Sequence, residues 1–282
     1  MQVRAAVVSE PGAFNVENLD LDGPQSEEVL VKIVATGMCH TDLAVRDQHL
    51  PLPLPIVLGH EGAGVVLEVG SDVKNVAVGD HVVLTFGSCG KCACCTSGRP
   101  AYCQEFVRYN ASARRPDGSC THHRHGHPIG GSFFYQSSFA THAIAHRSNV
   151  VKVPADLPLE VLAPLGCGIQ TGAGAVLNCL KALPGSSIAI FGVGAVGMSA
   201  IMAAKVAGCH TIIAVDVNEE RLAFAKELGA TNTINSKALN GVEAIQAIQP
   251  GGVDYTIEAT GIPAVMTQAV EALSPMGTAV LL

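Results

Sequence analysis

Ser187-Ile188-Ala189-Ile190-Phe191-Gly192-Val193-Gly194-Ala195-Val196-Gly197 is the stretch that decides how this chain folds. An apolar strand runs straight into a glycine-rich turn, and a helical pattern follows from Ala195 to Ala207. Glycines in that setting make the tight turn and let backbone N–H groups approach a pyrophosphate at the positive end of the helix. Asp216 closes the next strand, 19 residues after Gly197. A carboxylate there accepts hydrogen bonds from an adenosine ribose and repels a 2′-phosphate, so the pattern favours NAD over NADP. A G-x-G-x-x-G turn alone can be purely structural; strand, helix and acid in register point to a dinucleotide site.

Outward from this turn the pattern stays regular. It reads as strand Thr211 to Val215, helix Glu219 to Leu228, a short strand near Thr233 and a helix near Val242. Strand Val253 to Ile257, helix Pro263 to Leu273 and strand Thr278 to Leu282 complete it. Strands alternating with helices imply right-handed crossovers and a parallel sheet covered on both faces. In the other direction, Cys167 to Leu183 reads as a helical join ended by Pro184-Gly185. Before it, Met1 to about Val153 has a different texture, with short β-type runs such as Val29 to Ala35, Gly64 to Val69 and His81 to Thr85 between Gly, Pro and Asp turns. That half reads as an irregular, mainly antiparallel β lobe.

Composition narrows the class. The 282 residues include no tryptophan, 48% are hydrophobic and 15% charged, so a compact enzyme-like chain of two domains is expected rather than disorder. A net charge of −7 argues against nucleic acid or an anionic membrane as the main partner and leaves a small molecule. The first residues carry no signal-peptide pattern, and no window holds 18 uninterrupted apolar residues, which sets the expectation of a cytoplasmic protein. Ten cysteines would suit a disulfide scaffold only in a small secreted chain. Cys89, Cys92, Cys95 and Cys103 instead have successive offsets of 3, 3 and 8, which lets one loop fold four thiolates around a tetrahedral Zn²⁺ with every position filled. Such a closed shell is structural. Cys94 breaks the offset and reads as a spare thiol.

The chain resembles the zinc-dependent medium-chain alcohol dehydrogenases. The resemblance lies in Gly37-Met38-Cys39-His40-Thr41-Asp42, Gly59-His60-Glu61-Gly62-Ala63-Gly64, the four-cysteine lobe at about 87–105, Gly166-Cys167-Gly168-Ile169-Gln170-Thr171-Gly172, and the glycine-rich turn with Asp216. Phe133 to Ala140, with Ala44 two residues after Asp42, looks most like the aryl-alcohol (benzyl-alcohol) dehydrogenases. The resemblance implies a GroES-like, mostly antiparallel β catalytic domain over residues 1–170 and a Rossmann NAD-binding domain over 171–282, within an overall α/β fold. It also implies a homo-oligomer and two zinc ions per chain. The catalytic zinc maps onto Cys39, His60 and Cys167, and two thiolates with one imidazole do leave a fourth position for substrate. Asp42 would orient His60, Glu61 would modulate ligand exchange behind the metal, and Thr41 would take the alcohol proton. Cofactor contacts fall to Gly192, Gly194, Val196, Gly197, Asp216, Arg221, Thr171 and His40.

Better-known relatives pass that proton to a histidine at the position that here is Ala44. His40 is the nearest imidazole and the candidate base, in competition with its pyrophosphate contact. Phe86, Phe133 and Phe134 are the expected substrate pocket. The run His122-His123-Arg124-His125-Gly126-His127 reads as a solvated loop rather than a metal site. Rival readings are a zinc-ribbon nucleic-acid binder, which the charge opposes, a non-catalytic relative, and another zinc dehydrogenase acting on aliphatic alcohols, polyols or a formaldehyde–thiol adduct. The terminal Gly277 to Leu282 stops within an apolar run, and a sheet of order 3-2-1-4-5-6 needs a sixth strand. The expectation is therefore a C-terminally incomplete, poorly soluble or inactive chain.

Overall fold

A computed structural model describes residues 1–282, which form two compact units, Met1–Cys167 and Gly168–Leu282. The first unit contains β1 (Gln2–Val8), β2 (Asn15–Leu21), β3 (Glu28–Thr36), β4 (Ile56–Val57), β5 (Gly62–Val69), β6 (His81–Leu84), β7 (His122–Arg124), β8 (His127–Ile129), β9 (His142–His146) and β10 (Val150–Lys152). They make two five-stranded sheets, ordered β4-β1-β2-β7-β8 and β10-β6-β5-β3-β9, in which every pairing is antiparallel. The alternation of valines along β3 and β5 buries Val29, Val31 and Val66 against Val82, Leu84 and Ala143 in one core. No helix is long and apolar enough to cross a membrane.

The histidine-rich run is a hairpin, not a solvated loop. β7 pairs with β8 so that His122 faces Ile129, and His125 (φ +49°) with Gly126 (φ +80°) makes the two-residue turn. Its polar composition masked a strand whose first residue points inward, leaving His122 fully buried. Burial lowers the His122 pKa from 6.5 to about 4, and only Nδ1 has a partner, the Thr121 hydroxyl at 2.9 Å. Because the folded pKa lies below the unfolded value, the unfolded chain takes up the proton first as pH falls. Stability should therefore drop by up to about 3 kcal/mol between roughly pH 6.5 and 4, and no further below that. Urea unfolding of His122→Gln should show a shallower acid loss than the parent over that window; parallel curves would exclude this origin.

The second unit holds β11 (Ser187–Phe191), β12 (Thr211–Asp216), β13 (Asn232–Asn235), β14 (Val253–Glu258) and β15 (Leu273–Leu281). All four pairings are parallel, in the order β13-β12-β11-β14-β15. Helices Ala195–Ala207, Glu219–Leu228, Gly241–Ile248 and Pro263–Glu271 alternate with these strands. The order in which strands are added reverses at β11, from β12 and β13 on one side to β14 and β15 on the other, which opens a crevice at the carboxyl ends of the central strands. Two boundaries differ from the sequence pattern. The helix read to Leu273 ends at Glu271, because Leu273 already pairs with Val253 before an irregular stretch at Met276 (φ +69°). The join read as one helix is α-helical over Gly168–Gly174 and π-helical over Ala175–Leu180, closing at a left-handed Lys181.

Candidate active site

Within the first unit, residues far apart in sequence meet at one point. Cys39 caps the helix His40–Arg46, His60 precedes β5, and Cys167 ends the unit. Their ligand atoms all lie within 4.8 Å of one another. His60 is 1% exposed, and its Nε2 is a buried polar atom with no hydrogen-bond partner. Two sulfurs and an imidazole nitrogen without a hydrogen-bond partner, converging at one point, form a donor set that suits Zn²⁺.

Asp42 organises this group. Its Oδ1 accepts from His60 Nδ1 at 3.1 Å and from Gly59 N at 3.0 Å, while Oδ2 accepts from Cys39 N at 3.0 Å. The helix-capping and imidazole-orienting readings of Asp42 are thus one arrangement: the carboxylate satisfies a free N–H at the helix start and fixes the His60 tautomer. Protonation is shared across the group. A hydrogen bond from Cys167 holds the Cys39 thiol down to about 3, and the Cys167 thiol is pushed up by that bond to Cys39 and by burial. Burial pulls the His60 imidazole down, but the Asp42 carboxylate and the neighbouring Cys39 sulfur outweigh it and raise it to about 9. Metal binding by Cys39, His60 and Cys167 would require these protons to leave. Thr41 Oγ1 lies 3.6 Å from Cys39 Sγ. Glu61 is buried, with its carboxylate so close to Gly37 that a Cβ there would sit 2.0 Å from Oε2. His40 is exposed at the first position of its helix.

An aromatic row leads away from His60. Phe134 stacks on the imidazole at 4.6 Å and 25°, Phe106 meets Phe134 edge-on at 6.3 Å, and Phe86 lies 6.0 Å from Phe106. Phe133 sits differently from Phe86 and Phe134: it is 1% exposed, packs with Val45, Ile56 and Leu58, and meets His60 by an edge contact at 5.5 Å. The run of adjacent phenylalanines concealed this, since the chain turns sharply between them. Phe106 was missed. Its place three residues after Cys103, in a chain with only 8 phenylalanines, was the available signal.

The four-cysteine lobe closes as its spacing implies. Sulfurs of Cys89, Cys92, Cys95 and Cys103 all lie within 4.8 Å of one another, and Cys94 is not among them. Cys89 N donates to Cys103 Sγ and Cys92 N to Cys89 Sγ, both at 3.3 Å. Backbone donors at Gln104 and Cys95 lower the Cys92 thiol to about 6, whereas burial and Cys92 push Cys95 up to about 12. Four thiols converging around one point form a donor set that could hold a metal ion.

In the second unit, Gly192 adopts φ +83°, and a Cβ at Gly197 would lie 2.0 Å from Gly192 O, so turn and helix meet at a distance only glycine allows. Asp216 Oδ2 accepts from Val193 N at 2.8 Å, and Oδ1 from Val217 N and Asn218 N at 2.7 and 2.9 Å. A crevice of about 330 Å³ is lined by Gly192, Gly194, Asp216, Arg221, Thr260 and others. Val196 and Thr171 are half-buried and do not line it. Glu258, wholly buried, accepts from Thr260 N at 2.7 Å and Gly261 N at 3.2 Å and so holds the turn whose Thr260 lines that crevice.

Residues 25–155 match the alcohol dehydrogenase GroES-like domain and residues 195–282 the zinc-binding dehydrogenase domain. The chain is 46% identical over 281 residues to geraniol dehydrogenase of Castellaniella defragrans, covering 99% of this chain and 75% of that protein. Benzyl alcohol dehydrogenase from Acinetobacter calcoaceticus superposes with a TM-score of 0.95 at 51% identity, over 100% of this chain and 77% of that one. An alcohol dehydrogenase zinc-binding domain protein from Burkholderia ambifaria gives 0.97 at 55% identity, over 100% and 76%.

Proposed function

Because the chain belongs to the zinc-dependent alcohol dehydrogenase family, we propose that it transfers hydride from a primary, benzyl-type alcohol to NAD, giving the aldehyde. The observation that carries this reading is the buried Cys39–His60–Cys167 group, with His60 Nε2 unpartnered, beside an aromatic row. Zn²⁺ bound by those three residues supplies Lewis acidity to an alcohol oxygen. A second zinc held by Cys89, Cys92, Cys95 and Cys103 is structural.

The chain's own groups do the rest. Asp42 keeps the proton of His60 on Nδ1 and so presents Nε2 as a ligand lone pair. Thr41, beside Cys39, is placed to take the alcohol proton at Oγ1 and pass it outward, and exposed His40 is the imidazole that can release it to water. Half-buried Phe86, Phe106 and Phe134 favour a flat apolar alcohol over a polyol. Glu61 adds negative charge near Cys167.

A panel of benzyl alcohol, geraniol, ethanol, a polyol and a formaldehyde–thiol adduct, each with NAD and NADP, tests the reading. Benzyl alcohol with NAD should give the highest kcat/KM; a polyol or the thiol adduct at the top would reassign the substrate class. Asp216 carries the cofactor choice. Asp216→Ser should cut the NAD-to-NADP ratio of kcat/KM by about tenfold or more, the worth of one hydrogen bond to a charged group. An unchanged ratio would remove Asp216 from cofactor selection.

A further inference from the structure

Residues 133–138 hold a backbone conformation that their side chains disfavour. Phe134, Tyr135 and Ser137 have φ of +48°, +51° and +47°, the left-handed region in which non-glycine residues are strained. Strain of this kind persists only where the surroundings over-determine it, and it clusters at functional sites.

Buried side chains supply that over-determination. Asn149 Nδ2 donates to Phe134 O and Tyr135 O, each at 3.1 Å. Gln136 Oε1 accepts from Gly62 N, and its Nε2 donates to His60 O, each at 3.0 Å, so this amide clamps the main chain on both sides of Glu61. Ser137 Oγ donates to Val57 O at 2.6 Å, and Tyr135 donates from its hydroxyl to Glu28 at 3.1 Å. Ser138 N and Phe139 N then bond to Gly59 O and Leu58 O at 2.9 and 3.0 Å. The strap is therefore fastened to the very segment that carries His60.

What this conformation achieves is the aim of one ring. Nδ1 of His60 has a single side-chain partner, Asp42, a bond that fixes the tautomer yet leaves the imidazole able to rock about it. Phe134 lies flat on the ring, and Phe133 meets its edge at 86°. Together they remove the rocking.

We propose that Phe134 is a positioning residue: held by the strap, it sets the plane of the His60 imidazole and thereby how firmly the open site binds its metal. This rests on the reading of Cys39, His60 and Cys167 as metal ligands. It gives Phe134 a task distinct from lining a substrate pocket, and it gives Gln136 and Asn149 the task of holding Phe134 in place.

The test is Co²⁺ titration of the open site in the full chain, with zinc retained in the four-cysteine lobe, followed by visible absorption and steady-state kinetics. Phe134→Leu should weaken Co²⁺ binding by about 10–100-fold, the range for loss of an outer-shell partner, shift the absorption band, and lower kcat more than it raises KM. Phe134→Tyr, which keeps the ring, should restore all three. Phe134→Gly relieves the backbone strain and tests the ring's absence without relying on the leucine variant folding; it should lose metal affinity in the same way. Unchanged Co²⁺ affinity and spectrum in the leucine or glycine variant would overturn the proposal, as would an effect confined to KM for bulky alcohols. A parent chain that takes up no metal through these three ligands would overturn the metal reading itself, and the proposal with it.

Discussion

Replacing Cys167 with serine is expected to abolish turnover while the four-cysteine lobe keeps its zinc. Cys39, His60 and Cys167 converge within 4.8 Å, and the lobe is a separate group of four with its own backbone donors. Removing one thiolate leaves two ligands at the open site, too few to hold Zn²⁺ against water. The loss should exceed the roughly 10–100-fold that disruption of an outer-shell partner costs. Elemental analysis should fall from two zinc per chain to one, with activity falling in step. Full activity in a variant shown to lack that zinc would dismiss the ligand assignment. The two sites also separate by chelation: mild chelator should strip the open site before the closed one.

The largest effect on stability is expected from Glu28. Its carboxylate is 1% exposed and takes Arg115 Nε and Nη2 at 2.8 and 2.9 Å, with the Tyr135 hydroxyl at 3.1 Å. Arg115, 4% exposed, also reaches Asp22 at 3.1 Å and main-chain oxygens of Cys120 and Gly23. Glu28→Ala leaves a buried guanidinium without its main counter-charge, which costs about 3–5 kcal/mol. Urea unfolding should register that loss. The double variant Glu28→Met/Arg115→Met should recover much of it, since removing both charges also removes their desolvation penalty. A single variant as stable as the parent would show that water reaches Arg115.

The parts of the molecule built from local pattern are legible in the sequence. Strand Ser187–Phe191, helix Ala195–Ala207 and helix Glu219–Leu228 have the bounds that periodicity and glycine punctuation imply. The lobe was legible for the same reason, because its four sulfurs lie within one short loop. Cys39, His60 and Cys167 were different: only the fold brings them together, and residue type alone could not separate them from buried thiols and a core histidine. Gln136, Asn149 and Arg115 left no local trace at all. Each acts on segments tens of residues away, His60 O for Gln136, Thr85 O for Asn149 and Glu28 for Arg115. The inward turn of His122 was hidden because a strand buried at only one position has no period to detect.

Asp42 ties two kinds of order into one. Its carboxylate touches Cys39 N, Gly59 N and His60 Nδ1, so fraying of the helix that begins at His40 sets two of the three proposed metal ligands loose together. By thermodynamic reciprocity, whatever free energy the metal gains from finding those ligands preset, it returns as resistance of that helix to local opening. Amide hydrogens at Thr41 and Asp42 should accordingly exchange slowly in the metal-loaded chain and quickly after chelation, although neither residue is itself a ligand. On the proposed ligand set, the first turn of this seven-residue helix would be a gauge of metal occupancy.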